Sequence, residues 1–324
     1  MKHIRSLEFP LSDGGFELLS FYDIRSSAPG PVLAAVAAQH GNELNGCAVI
    51  RQFARHCSEN PEFRGRLIGV PFANPFALRR RRPNSDMGPE QPYTETTRNM
   101  QTHWNTTDGN EIIRLAHFWW EKLLSEADML VDIHCYPKFN APVIVIRPNS
   151  EKWETLARIS GLPQVRYLKR ETDWNGSLRC KAEDAGKICL GIELCGQYEI
   201  FDAEVDRGIR VLENLCRHLK MLPGEPEIPL EPPVVLESRV PVYAPISGLF
   251  IHRRGIASGI RVKKGDELGV MVDTATLEEI AIHAPEAGYL TTFAGRSDSD
   301  VSLRGHHRYC FVDDILAVIV PVGG

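Results

Sequence analysis

A histidine and a glutamate stand three residues apart in His40-Gly41-Asn42-Glu43, directly after the small apolar run Val32 to Ala38. An apolar strand that ends in such groups carries them to the edge of a sheet, and the start of a following helix lets both face one point. Imidazole nitrogen and carboxylate oxygen each bind zinc at about 2.0–2.2 Å, and two histidines with one glutamate form a known catalytic set that leaves a position for water. The pair therefore needs a second histidine, presented at another strand end. Among the 11 histidines, His134 in Val131-Asp132-Ile133-His134 fits best. Strand alternation puts Val131 and Ile133 on one face and Asp132 with His134 on the other. Asp132 can then orient the histidine from behind. A fourth group, Glu193 in Gly191-Ile192-Glu193-Leu194, ends another apolar run, where a buried carboxylate needs a partner or a task. Beside water on zinc, it can take a proton as general base and return it to a leaving amine. Singly these motifs are weak: HxxE is common by chance, and a lone strand histidine is more often a satisfied core residue.

The elements that must position these groups alternate. Short apolar runs of strand length fall at 16–22, 32–38, 66–71, 129–136, 142–146 and 188–194. Helical spacing appears in Leu44 to Cys57, with Asn42 as a candidate N-cap, in 110–127, and from about Asp202 to Lys220. Strands alternating with helices indicate an α/β layer fold with a largely parallel sheet. The stretch 74–110 is polar, carries prolines and has no period, which in a compact domain points to a functional loop. A Pro-rich linker, about 222–238, then separates an α/β domain (1–225) from a C-terminal β domain (226–324). In the latter, A-P-x-x-G recurs at Ala244 and Ala284, suggesting a β-sandwich of two similar halves. That portion resembles biotinyl/lipoyl-type barrel-sandwich modules, but the corresponding tip, 273–279, has no lysine, so a structural or lid-forming role is expected.

With 324 residues, 43% hydrophobic and 24% charged, the chain reads as a globular protein of one or two domains. Acids exceed bases by 42 to 37, for a net charge of -5, which argues against nucleic acid or an anionic membrane as partner. No apolar run has signal-peptide or bilayer-spanning length, and 8 cysteines without a CxxC pair read as reduced, buried thiols. The expected compartment is the cytoplasm, and a homo-oligomer is possible.

The order H-G-N-E, then Asn74-Pro75, then Asp132-x-His134, then G-I-E at Glu193 resembles the succinylglutamate desuccinylase/aspartoacylase family, relatives of the zinc carboxypeptidases. The resemblance implies one zinc per chain on His40, Glu43 and His134, Glu193 as acid/base, and a carboxypeptidase-like α/β/α sandwich followed by a β domain. It also exposes departures. Family members carry N-[LM]-N-R, whose asparagine–arginine pair clamps a substrate carboxylate. Here the aligned stretch starts at Asn99, and Gln101 and Thr102 occupy the pair's positions. Threonine lacks the bidentate fork of arginine, so Arg98, or one of Arg79 to Arg82, becomes the candidate clamp. The family's carbonyl-polarising arginine maps to Arg82 or Arg81, although four exposed arginines are more often a solvated surface. Asn99 and Gln101 are candidate substrate contacts, with His103-Trp104 a weaker one; Phe118 to Trp120 read as helix core.

These readings converge on a zinc-dependent amidohydrolase for a small N-acyl amino acid or N-acyl amine. Two rivals are a peptide carboxypeptidase, against which the missing Asn–Arg pair speaks, and a non-catalytic binder with a structural zinc. The latter normally needs four protein ligands.

Overall fold

The apolar runs that carry the candidate chemistry lie side by side. β3 (Val32–Ala37), β5 (Met129–Tyr136) and β8 (Ile188–Cys195) are adjacent parallel strands at the centre of a large sheet. The computed structural model describes residues 3–85, 98–137, 140–148, 150–168, 176–296 and 308–321. Among these, nine strands form the sheet, in the order β1-β2-β4-β3-β5-β8-β6-β7-β9, where β1 is Ile4–Pro10, β2 Phe16–Arg25, β4 Arg66–Val70, β6 Val143–Ile146, β7 Gln164–Tyr167 and β9 Val234–Val235. β1 and β2 form an antiparallel hairpin, β2 runs against β4, and β6 runs against β8; the other pairings are parallel. From β3 the chain moves to β4 on one side and later to β5 on the other. Such a reversal opens a crevice at the carboxyl ends of the strands.

Alternation along the central strands sorts the two layers. Ala35, Ala37, Val131, Ile133, Leu190 and Ile192 face a core shared with α1 (Asn45–Glu59), α4 (Glu151–Ser160) and α6 (Asp202–His218). The opposite face, which carries Val36 and Leu130, packs on α3 (Glu111–Lys122) and α5 (Leu178–Asp184). Helix α1 buries Val49, Ile50, Phe53, Ala54 and Cys57 along one stripe. Asn110 caps α3 by accepting the amides of Ile112 and Ile113. Trp119 and Trp120 are buried helix core, as the spacing implied.

Three local expectations change. The stretch 74–110 contains α2 (Pro75–Arg80) and a 3-10 turn at Met100–Thr102. The start of α2 is set by the Asn74 side chain, which accepts the Ala77 amide, with proline at its first position. Asn42 does not cap α1, which begins at Asn45; its carbonyl accepts the Tyr198 amide at 2.7 Å instead. The proline-rich segment is more than a spacer, because Val234–Val235 adds a parallel edge strand to the large sheet beside β7.

The C-terminal portion forms two antiparallel four-stranded sheets, with a core that includes Phe250, Met271, Leu290, Phe293 and Leu316. The repeated motif maps onto equivalent places. Gly248 opens β11 (Gly248–His252) in one sheet, and Gly288 opens β15 (Gly288–Arg296) in the other. This domain docks on the loop that follows β5: the Ala141 amide donates to the Thr291 carbonyl at 2.9 Å, and Asn140 bridges Thr292.

A tight backbone approach lies in the His-Gly-Asn-Glu turn. A Cβ on Gly41 would stand 2.2 Å from the carbonyl of Ala77 in α2, so the loop and α2 fit only without a side chain there. Gly41→Ala is expected to lower stability by roughly 1–3 kcal/mol, the usual cost of forcing extra volume into a packed site. Urea denaturation measures it, and an unchanged midpoint would show that the two segments separate freely.

Candidate active site

The strand end that bears His40 is held from several directions. Beyond β3 the chain turns at Ala38, whose φ of 53° is left-handed. The carbonyls of Ala37 and Ala38 accept the amides of Ala73 and Asn74 at 2.9 and 3.0 Å. Asn74 Nδ2 then donates to the Gln39 carbonyl at 3.0 Å, while its Oδ1 caps α2. The Asn-Pro motif thus joins the candidate ligand loop to the next helix.

The register of the central strands does the rest. His134 pairs with Glu193 and Asp132 with Gly191 across β5 and β8, and all four lie on one face. His40, Glu43 and His134 are buried, with one ligand atom from each within 4.8 Å of the others. His134 Nδ1 stands 3.0 Å from Glu43 Oε2, which also accepts the Cys135 amide at 3.1 Å. On the other side of the ring, His134 Nε2 lies 3.2 Å from Asp132 Oδ1. Gln39 donates its amide to that same Asp132 oxygen and accepts the Trp104 indole N–H at 2.8 Å. Trp104 is therefore a buried support for the cluster rather than a substrate contact.

Charge in this enclosure shapes the ionisations. Burial disfavours an imidazolium, yet Asp132 and Glu43 hold the His134 pKa well above that of a free histidine. Burial also opposes charge on Asp132, but His134 and Arg179 keep its carboxyl below the usual range. For Glu193, burial dominates and pushes the pKa up to about 8, against the pull of His134 and with the charge of Glu43 adding to it. An imidazole flanked by two carboxylates, with a second imidazole 5.5 Å away between ring centres, is a site for positive charge. Its nitrogen and oxygen donors suit a divalent transition metal, which would replace the proton at the ligating nitrogen.

These residues line a cavity of about 180 Å³ together with Gln101, Cys135, Tyr136, Val145, Arg166, Leu168, Arg179, Glu193 and Gln197. The arginines at this lining are not those expected. Arg81 and Arg82 are exposed at the end of α2, and Arg98 is half-buried; none of the three borders the cavity. The first two follow a helix whose buried residue is Ala77 and whose last turn faces solvent. Arg166 comes instead from β7, its Nη1 donating to the Tyr136 hydroxyl at 3.3 Å. Arg179 comes from α5 and is 4% exposed. Among the described residues its Nε and Nη1, like Asp132 Oδ2, have no hydrogen-bond partner. Glycine at 191 makes its room, since a Cβ there would stand 1.9 Å from Arg179 Nη1. Asn99 is buried, and its side chain caps the 3-10 turn by accepting the Gln101 amide at 3.1 Å, which leaves Gln101 as the member of that stretch at the cavity.

The segment from 29 to 219 matches the model of the succinylglutamate desuccinylase/aspartoacylase catalytic domain. The chain belongs to that family. Its members are deacylases, and the His-Glu-His cluster sits on the carboxypeptidase-like sheet that such hydrolases use. No curated protein matches the chain. Among solved structures, a succinylglutamate desuccinylase/aspartoacylase from Rhodobacter sphaeroides is 19% identical, with TM-score 0.71 over 98% of this chain and 95% of that one. The product-bound ectoine utilization protein EutE from Ruegeria pomeroyi is 21% identical, with TM-score 0.69 over 97% and 95%. A metallo-carboxypeptidase from Burkholderia cenocepacia is 13% identical, with TM-score 0.52 over 67% and 64%. These likenesses establish the two-part fold, the α/β layers with the C-terminal β sheets.

In this member of the desuccinylase/aspartoacylase family, a buried guanidinium with unpaired donors costs stability and so points to a ligand. Arg179→Lys keeps the buried positive charge beside Asp132 but not the planar set of donors, and is expected to retain its urea midpoint while hydrolytic activity falls by roughly 10²–10³-fold, the scale for losing a donor aimed at reacting charge. Unchanged activity would make Arg179 a counter-ion of Asp132 only.

Proposed function

We propose that this chain is a zinc-dependent amidohydrolase that splits a small N-acyl amino acid, or N-acyl amine, into a carboxylate and an amine. The observation that carries the reading is the convergence of His40, Glu43 and His134 within 4.8 Å, with Glu193 beside His134 in register and in the same cavity. One zinc held by those three side chains would supply Lewis acidity to a water and to the amide carbonyl. Glu193, on the strand next to His134, takes the proton of the attacking water and delivers it to the departing nitrogen. A carboxyl whose pKa is raised toward neutrality by burial suits both halves of that transfer. Asp132 and Gln39 hold the His134 ring in place from behind.

The role first assigned to Arg82, donation to the oxygen of the scissile carbonyl, passes in this proposal to Arg179. The carboxylate clamp first sought in Arg98 or one of Arg79 to Arg82 passes to Arg166. Two guanidinium groups at one small cavity favour a substrate with a free carboxylate, hence an N-acyl amino acid over a plain N-acyl amine. The cavity volume favours a small molecule over a peptide. Three protein donors among the described residues favour an open coordination sphere over a structural zinc, because Cys135 belongs to the opposite core and its thiol meets Asn45.

Hydrolysis of acetyl-, succinyl- and aspartyl-type amides, with chelation and zinc replacement, tests the reading. Glu193→Gln is expected to retain zinc while turnover drops by about 10²–10⁴-fold; a fully active variant removes Glu193 from the mechanism. The base works deprotonated, so kcat/KM should be present above its pKa and lost as pH falls through it. A bound dication lowers that pKa below its metal-free value, so the acid limb belongs below pH 8 and disappears in Glu193→Gln.

A further inference from the structure

β14 (Glu279–His283) is an edge strand of the C-terminal sheet that contains β11, and among the described residues its one strand partner is β13 (Glu267–Val272), antiparallel to it. Backbone bonds at the two ends of β14 fix which way its amides point. The Asp273 amide donates to the Glu278 carbonyl at 2.9 Å, and the Ala284 amide donates to the Asp266 carbonyl at 2.8 Å. Backbone groups of successive residues in an antiparallel strand point to opposite sides. Ile280 and Ile282 therefore bond to β13, while Glu279, Ala281 and His283 present N–H and C=O away from it. Ile280 shares the inner face with Ile282, yet it is 39% exposed where Ile282 is 5%, so the core stops short at this edge. On the outer face Glu279, Ala281 and His283 are all exposed. His283 Nδ1 meets the Gly265 carbonyl at 3.1 Å, which leaves Nε2 as the second donor of a charged ring. Such an edge is normally blunted by a lysine, a proline or a bulge. β14 has none of these, and the irregularity in its pairing falls on β13, between Glu267 and Gly269.

The strand is also complementary to itself. Antiparallel pairing of two copies, centred on Ala281, sets Glu279 opposite His283 of the second copy and Ile280 opposite its Ile282. The outward residues then meet as hydrogen-bonded pairs, and the isoleucines as the closer pairs between them. Opposite charges facing across strands are favourable and like charges are not. A centre at Ile280 or Ile282 forfeits the Glu279–His283 match, and one at Glu279 sets carboxylate against carboxylate. We propose that β14 is a homodimer contact, in which two chains join edge to edge across a two-fold axis at Ala281 and merge their C-terminal sheets. This contact is independent of the metal and of the hydrolytic reading.

Crosslinking of the full-length chain tests the axis directly. Residues that face their own copies in a hydrogen-bonded pair have Cα atoms about 5.5 Å apart, within reach of a disulfide. The native cysteines are all buried. Ala281→Cys is expected to give a disulfide-linked dimer under mild oxidation. Glu279→Cys is not, because its copy would lie about 13 Å away along the strands. Sedimentation equilibrium supplies a second measurement. Ala281→Pro removes an amide that points away from β13 and is expected to weaken the dimer roughly 10–100-fold through two symmetry-related bonds. His283→Glu places two carboxylates together and should weaken it as well, whereas combining it with Glu279→His exchanges the partners and should restore association. A wild type that stays monomeric at every concentration overturns the proposal. So does a dimer that Ala281→Pro leaves intact, equal crosslinking at 279 and 281, or no recovery in the exchanged variant.

Discussion

Two carboxylates close on one imidazole in the interior of this protein. Glu43 faces Nδ1 of His134, and Asp132 faces Nε2, all three removed from water. A protonated ring can donate to both but leaves the trio net negative, and such a cluster in a low-dielectric interior is costly unless further positive charge joins it. Much of the surrounding architecture answers that demand. Gln39 lends an amide to Asp132, Arg179 is drawn in over Gly191, and His40 is brought within reach of the same point. A divalent cation at the His40, Glu43 and His134 cluster would complete that balance.

The backbone accepts awkward geometry to keep those groups together. Ala38 adopts a left-handed conformation, Gly41 lies against the carbonyl of α2, and Asn74 ties two segments with one side chain. None of these features improves the core. Each sets where His40 and Glu43 stand relative to His134, which follows Glu43 by 91 residues. Local strain accepted at such a position is characteristic of sites whose geometry is over-determined by their neighbours.

Period and spacing made part of this arrangement legible in the sequence. Alternation in Val131 to His134 separates core from cluster, and the same rule, with the order of the runs, brings His40, Glu43, His134 and Glu193 to one edge. The A-P-x-x-G repeat maps one copy onto each sheet of the C-terminal domain. Other placements were less legible. Arg82 follows Asn74-Pro75 at a suggestive distance, but helix α2 intervenes and the residue lies exposed, outside the cavity lining. Arg166 and Arg179 went unnoticed because the stretch from 147 to 187 has short elements and weak periods: α4, the four-residue β7 and the seven-residue α5. A signal was present at Ser177, which caps α5 and sets Arg179 between the apolar Leu178 and Cys180. An arginine flanked by buried positions is out of place unless it is aimed at charge.

The two guanidinium groups at the cavity thus come from elements other than the turn that carries Gln101 and Thr102. With threonine there, the turn places the Gln101 amide oxygen against the His40 ring, and the guanidinium groups that line the cavity come from β7 and α5. Under the proposed roles, a clamp carried on β7 rather than on the 3-10 turn would change which substrates fit from outside the segments that carry His40, Glu43 and His134.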